Sequence, residues 1–217
     1  MKNNNLILKI EENQEPWCPE FDDKVIVSSI QTGLFAGGLG TKVGQHRFND
    51  ACVVQEEQEP LRLCTPTYGY FEVRAKGKIS ANNLITLWMI GYEDEPYRSA
   101  EICIFEIFGD KVEKNTIEIG YGLHPFGDPN INDEFYKETF NLDIAEFHTF
   151  GVHWTPDFID FFVDSEVIRK INQSPDYPMQ FMLGIYEFAR NETPNKSSEK
   201  YPKEFFIDYF KVYKKRN

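Results

Sequence analysis

Along most of this chain apolar residues alternate with polar ones at a period close to two, the spacing of a strand with one buried face. "YGYFEVRAKG" (68–77), "LITLWMIG" (84–91), "NTIEIGYGLH" (115–124), "FHTFGVHW" (147–154), "FIDFFVDSEVI" (158–168), "MQFMLGIYEF" (179–188) and "EFFIDYFKVYK" (204–214) all have it. They are rich in β-branched and aromatic residues and bounded by Gly, Pro, Asn or Asp. Helical spacing with a cap is nearly absent; "NLDIAEFH" (141–148) predicts a short helical turn and no more. At least seven strands at short intervals, with no long helices between them, predict an all-β antiparallel sandwich or barrel. In "TPDFIDFFVDSEVIRK" a turn at 155–157 precedes a strand, and Asp164-Ser165 forms a tight hairpin connection to the returning strand. The polar segments 124–134 and 189–204 are expected to be loops of the same unit, and residues 1–217 are read as one domain.

Charge and composition narrow the function. The formal charge is -12, from 23 Lys and Arg against 35 Asp and Glu, with no basic window, so a phosphate-tracking surface and a nucleic-acid partner are not expected. The apolar run Leu6-Ile7-Leu8 is too short for a signal-peptide core or a membrane span. A chain that does not engage membranes, with a cytoplasmic location, is therefore expected as it stands, or an extracellular one for a processed form. Cys18, Cys52, Cys64 and Cys103 show no CxxC pair or zinc-ligand spacing, and reduced thiols are expected. A monomer is expected.

One stretch breaks the strand logic. "RSAEICIFEIFGD" (98–110) sets Glu101 and Glu106 in a run that otherwise reads as buried. A buried carboxylate costs several kcal/mol (roughly) unless it is paired or hydrogen-bonded. In a regular strand Glu101 and Cys103 share a face, and Glu106 points to the other. A β-bulge within Ile104-Phe105 brings Glu106 onto their face, and bulges are frequent beside active sites. Two carboxylates so placed, about 5 Å apart, are what a retaining glycosidase requires. The same spacing also arises by chance on a solvated strand face.

The stretch "EICIFEIFG" resembles the bulged E-x-D-x-x-E signature of glycoside hydrolase family 16, the laminarinase-like enzymes. "YGYFEVRAKG", "LITLWMIG", "FHTFGVHWTPDFIDFFVDSEVI" and "FFIDYFKVYK" resemble further segments of that family in its order, from about residue 60 onward. Residues 1–60 match weakly, beyond an N-terminal strand expected to return to the sheet. The resemblance implies a jelly-roll β-sandwich of two antiparallel sheets with a cleft across one face. It implies Glu101 as nucleophile and Glu106 as acid/base, with Glu106 holding a proton near neutral pH and Glu101 ionised. Cys103 stands where the family has Asp, which leaves three readings: a slower hydrolase, a non-hydrolytic lectin-like carbohydrate binder, or a shifted mechanism.

Sugar rings stack on flat side chains, and Trp88 and Trp154 are the candidates for that contact. His124 lies where related enzymes carry a His near the acid/base, and is expected to orient Glu106 or to touch sugar; His148 and His153 read as packing residues. No catalytic cofactor is implied, while Asp208 matches the Asp of a structural calcium site in the family. The expected partner is a polysaccharide or oligosaccharide. The bulged motif points toward β-1,3-glucan, and the acidic composition argues against sulfated galactans.

Overall fold

The structure, a computed structural model, describes residues 5–22, 24–44, 53–188 and 200–214. Cys52 and most of the expected 189–204 loop lie outside the described residues. The strands, in chain order, are β1 (Leu6–Ile10), β2 (Ile26–Gln31), β3 (Gly33–Leu34), β4 (Leu61–Arg62), β5 (Gly69–Lys78), β6 (Asn83–Gly91) and β7 (Glu101–Phe108). After one 3-10 turn at Gly109–Lys111 come β8 (Ile117–His124), β9 (Glu134–Phe140), β10 (His148–Trp154), β11 (Ile159–Val163), β12 (Glu166–Ile171), β13 (Met179–Glu187) and β14 (Lys203–Tyr213).

Two six-stranded antiparallel sheets form the sandwich. The backing sheet runs β1-β14-β5-β10-β11-β12, and the site sheet runs β2-β13-β6-β7-β8-β9. The N-terminal strand returns to the fold as expected, with β1 pairing against β14. The alternating apolar residues meet between the sheets: Phe71, Val73, Phe150, Val152, Phe161 and Phe205 from one, Ile85, Leu87, Ile102, Phe105, Ile119 and Ile185 from the other. Burying that many large side chains supplies the main favourable term for a fold that has almost no helix. Asp164 and Ser165 both adopt positive φ, +47° and +69°, as a two-residue hairpin between β11 and β12 requires.

One expectation is refined and one is corrected. Residues 141–148 form no helix but only a single turn, closed by the Glu146 N–H donating to the Asp143 carbonyl at 2.9 Å. The Asp143 carboxylate also accepts the Ala145 N–H at 2.9 Å, and such a side-chain bond competes with continuing the turn as helix. Trp154 is not a cleft residue: it is 1% exposed, shares the inward face of β10 with Phe150 and Val152, and packs on Tyr68 and Phe71. Its indole N–H is satisfied inside, by Ser174 Oγ at 2.8 Å and the Pro175 carbonyl at 3.1 Å. A hydrogen-bonded Trp in the core has no face left for a sugar.

Candidate active site

The bulge is where the sequence places it. Against β6, Trp88 pairs with Cys103 and Leu87 with Phe105, skipping Ile104. Against β8, Cys103 pairs with Gly122 and Glu106 with Gly120, so Ile104 and Phe105 together oppose one residue, Tyr121. Both extra side chains join the core, and the alternation resumes reversed. Thr86 donates its hydroxyl to the Phe105 carbonyl at 2.8 Å, holding a backbone group inside the irregular segment.

As a result Glu101, Cys103 and Glu106 share the face of the site sheet turned away from the core, and their ligand atoms lie within 4.8 Å of one another. Each is bracketed by defined neighbours. Glu101 lies between Ile90 and His124, Cys103 between Trp88 and Gly122, and Glu106 between Thr86 and Gly120. The two glycines are required. A Cβ on Gly120 would sit 2.7 Å from Phe135 Cζ, and Gly122 has φ +139° with the Glu134 carbonyl where a Cβ would go. The Phe135 ring occupies the room they leave and stacks on His124 at 4.6 Å, while His124 Nδ1 contacts Asp133 Oδ1 at 2.7 Å.

On the other flank Trp88 donates its indole N–H to Tyr186, whose hydroxyl feels the charges of Glu101, Asp22 and Glu106. Trp17, mostly exposed, is anchored at that end by a 2.7 Å bond from its indole N–H to Asp22 Oδ2.

Burial dominates the electrostatics. Glu101 is 6% exposed and receives no hydrogen bond from the described residues. Burial, reinforced by the Glu106 charge, pushes its carboxyl up to about 8. Burial raises Glu106 too, but His124 and Lys137 oppose that rise. Cys103 is fully buried between them and is pushed far up, so it is a neutral thiol, with only a 4.0 Å contact from its sulfur to the Gly120 carbonyl.

The site thus brings together Glu101, Cys103, Glu106, Trp88 and His124. Asp208 is remote from it, in a bulge of β14 between Ile207 and Tyr209. Its carboxylate is held by Arg74 at 2.6 Å. Calcium asks for about six to eight oxygen ligands. One carboxylate already neutralised by a guanidinium does not fit that ion. The sequence reading missed Asp133, Phe135, Lys137, Tyr186 and Trp17; for Phe135 a signal existed, because glycines at alternate positions of one strand mark the close approach of another group.

The sequence profile described as "Glycosyl hydrolases family 16" matches residues 65–206. The chain is 27% identical over 146 residues to the glucan endo-1,3-beta-glucosidase of Cryptopygus antarcticus, covering 64% of this chain and 48% of that protein. Among solved structures, the GlcNAcα1-4Gal releasing endo-β-galactosidase from Clostridium perfringens superposes with a TM-score of 0.82 at 32% identity. That match covers 99% of this chain and 53% of the other. A laminarinase from Flavobacterium sp. UMI-01 shares the fold, with TM-score 0.66 and 21% identity over 99% of this chain and 80% of its own. The chain spans about half or less of the length of the curated relatives it matches.

Proposed function

The chain belongs to glycosyl hydrolase family 16, and from that premise we propose that it is a retaining endo-glycosidase acting on a β-linked glycan. The observation that carries this reading is the bulge, which sets two carboxylates on one face with their oxygens within 4.8 Å. Retaining enzymes hold the pair about 5–5.5 Å apart, and inverting ones about 6.5–9.5 Å to admit a water between. In this reading a Glu101 carboxylate oxygen attacks the anomeric carbon while Glu106 protonates the departing glycosidic oxygen. Glu106 then takes a proton from water as the glycosyl–Glu101 ester is cleaved. Trp88 and the His124–Phe135 stack flank the carboxylates as platforms for the sugar rings on either side.

Of the substrate classes represented among the relatives, a β-galactosidic bond in a GlcNAcα1-4Gal-capped glycan is favoured, because that likeness runs along nearly the whole chain at 32% identity. β-1,3-Glucan is the second reading, supported by the curated glucanases and by the bulged motif. The test is product release from both glycans, with proton NMR of the first-formed reducing end. The expected result is β-configured product from the galactoside, abolished in Glu101→Gln and Glu106→Gln. Binding of either glycan without any cleavage would favour the lectin-like alternative, and α-configured first product would exclude retention.

A further inference from the structure

We propose that Glu101, Cys103 and Glu106 form a binding site for a thiophilic divalent cation of the zinc class. They are the one group of three metal-ligating side chains found together among the described residues, and each turns a ligand atom toward the other two within 4.8 Å. A carboxylate cluster alone would attract hard ions weakly, and a single cysteine would be inert. Two further facts distinguish this cluster. Glu101 is 94% buried and aimed into it, with no hydrogen bond or ion pair from the described residues. The Cys103 sulfur is fully buried, and its hydrogen bond is a long one, 4.0 Å to the Gly120 carbonyl. The positive groups whose charges reach Glu106 are His124 and Lys137, and neither is bonded to it.

The donor set selects the ion. One sulfur and two carboxylate oxygens suit zinc or cadmium, whereas calcium and magnesium prefer oxygen alone. With zinc–ligand bonds near 2.0–2.3 Å, tetrahedral ligand atoms stand about 3.5 Å apart, so closure of about 1 Å completes the site. The two glutamates have the side-chain rotations to supply it. As the metal–sulfur bond forms, the Cys103 thiol proton leaves to solvent, together with any proton held by the carboxyls. A fourth position is left for water.

Binding rests on this geometry alone; only its consequence, competitive inhibition of hydrolysis, rests on the proposed function. The test uses the full reduced chain with the metals alone: cadmium followed by its ultraviolet sulfur-to-metal charge-transfer band, and zinc by calorimetry and thermal melting. One cadmium per chain is expected, with the band lost in Cys103→Ser. Zinc affinity is expected to fall by more than about tenfold in both Cys103→Ser and Glu101→Gln, and zinc to raise the melting temperature of the wild type. Should Cys103→Ser fail to fold, Glu101→Gln decides alone. No band, a band that persists in Cys103→Ser, or zinc binding indifferent to Glu101→Gln overturns the site. Zinc bound as expected by a chain that cleaves no glycan upholds the site and removes the proposed hydrolysis.

Discussion

Replacing Cys103 by Asp tests how this strand sets the charge of Glu101, the proposed nucleophile. In the wild type Glu101 is buried beside Glu106 with a carboxyl near 8, so at pH 7 only about one tenth of molecules carry it ionised. An Asp at 103, flanked by two carboxylates, would keep its own proton by the same repulsion and present an O–H to Glu101. A hydrogen bond to a charged acceptor contributes about 1.5–3 kcal/mol, which brings Glu101 down by about one to two pH decades. The ionised fraction at pH 7 then rises about five- to tenfold, and kcat with it. Near pH 9 the wild-type Glu101 is already mostly ionised, so the gain vanishes there. The assay is turnover of the preferred glycan from pH 5 to 9, with Cys103→Asn alongside as a donor that adds no ionisable group. A folded Cys103→Asp enzyme with no gain at pH 7, or with the same gain at every pH, refutes the reasoning.

Three further outcomes are expected. Glu101 binds its proton more tightly in the folded chain than at its ordinary 4.5, so it destabilises the fold progressively as pH rises from 4.5 to about 8; Glu101→Gln should lose less unfolding free energy than wild type between pH 5 and 9, by about a few kcal/mol in denaturant titrations, and equal losses would count against the shift. Thr86→Val leaves the Phe105 carbonyl without its hydroxyl partner, which should cost about 1–3 kcal/mol in denaturant unfolding and lower kcat by loosening the bulge; an unchanged midpoint would show the bond to be dispensable. Trp88→Ala should raise KM about three- to tenfold through lost stacking, while Trp154→Phe should lower stability and leave KM unchanged, and the opposite pattern would exchange their roles.

Much of this molecule is legible in its residues because a sandwich core enforces period two. Phe150, Val152 and Trp154 share one parity, and the same rule that places the first two in the core also places Trp154 there; assigning it to sugar ignored that parity. The bulge was readable from two glutamates an odd distance apart inside an apolar run. Edge strands were harder. In β2, Ile26–Gln31, the outer half is exposed, and β9, "EFYKETF", mixes charge with aromatics because each has one neighbour and little enforced pattern. The wall around His124 was invisible locally, since Asp133 and Phe135 reach it from another strand. What acts on the two carboxyls was likewise inaccessible, because the burial of Glu101 and the charges of His124 and Lys137 on Glu106 arise only once neighbouring strands are paired.

The central claim is that Glu101 forms the covalent bond to sugar while Glu106 moves the proton. It is tested most directly by peptide mass mapping after reaction with a 2-fluoro-β-glycoside carrying a good leaving group, which lets the glycosyl-enzyme form and slows its hydrolysis. The account predicts one glycosyl group per chain, on Glu101, and none in Glu101→Gln. An adduct on Glu106, or turnover of the preferred glycan with no adduct at all, would contradict it.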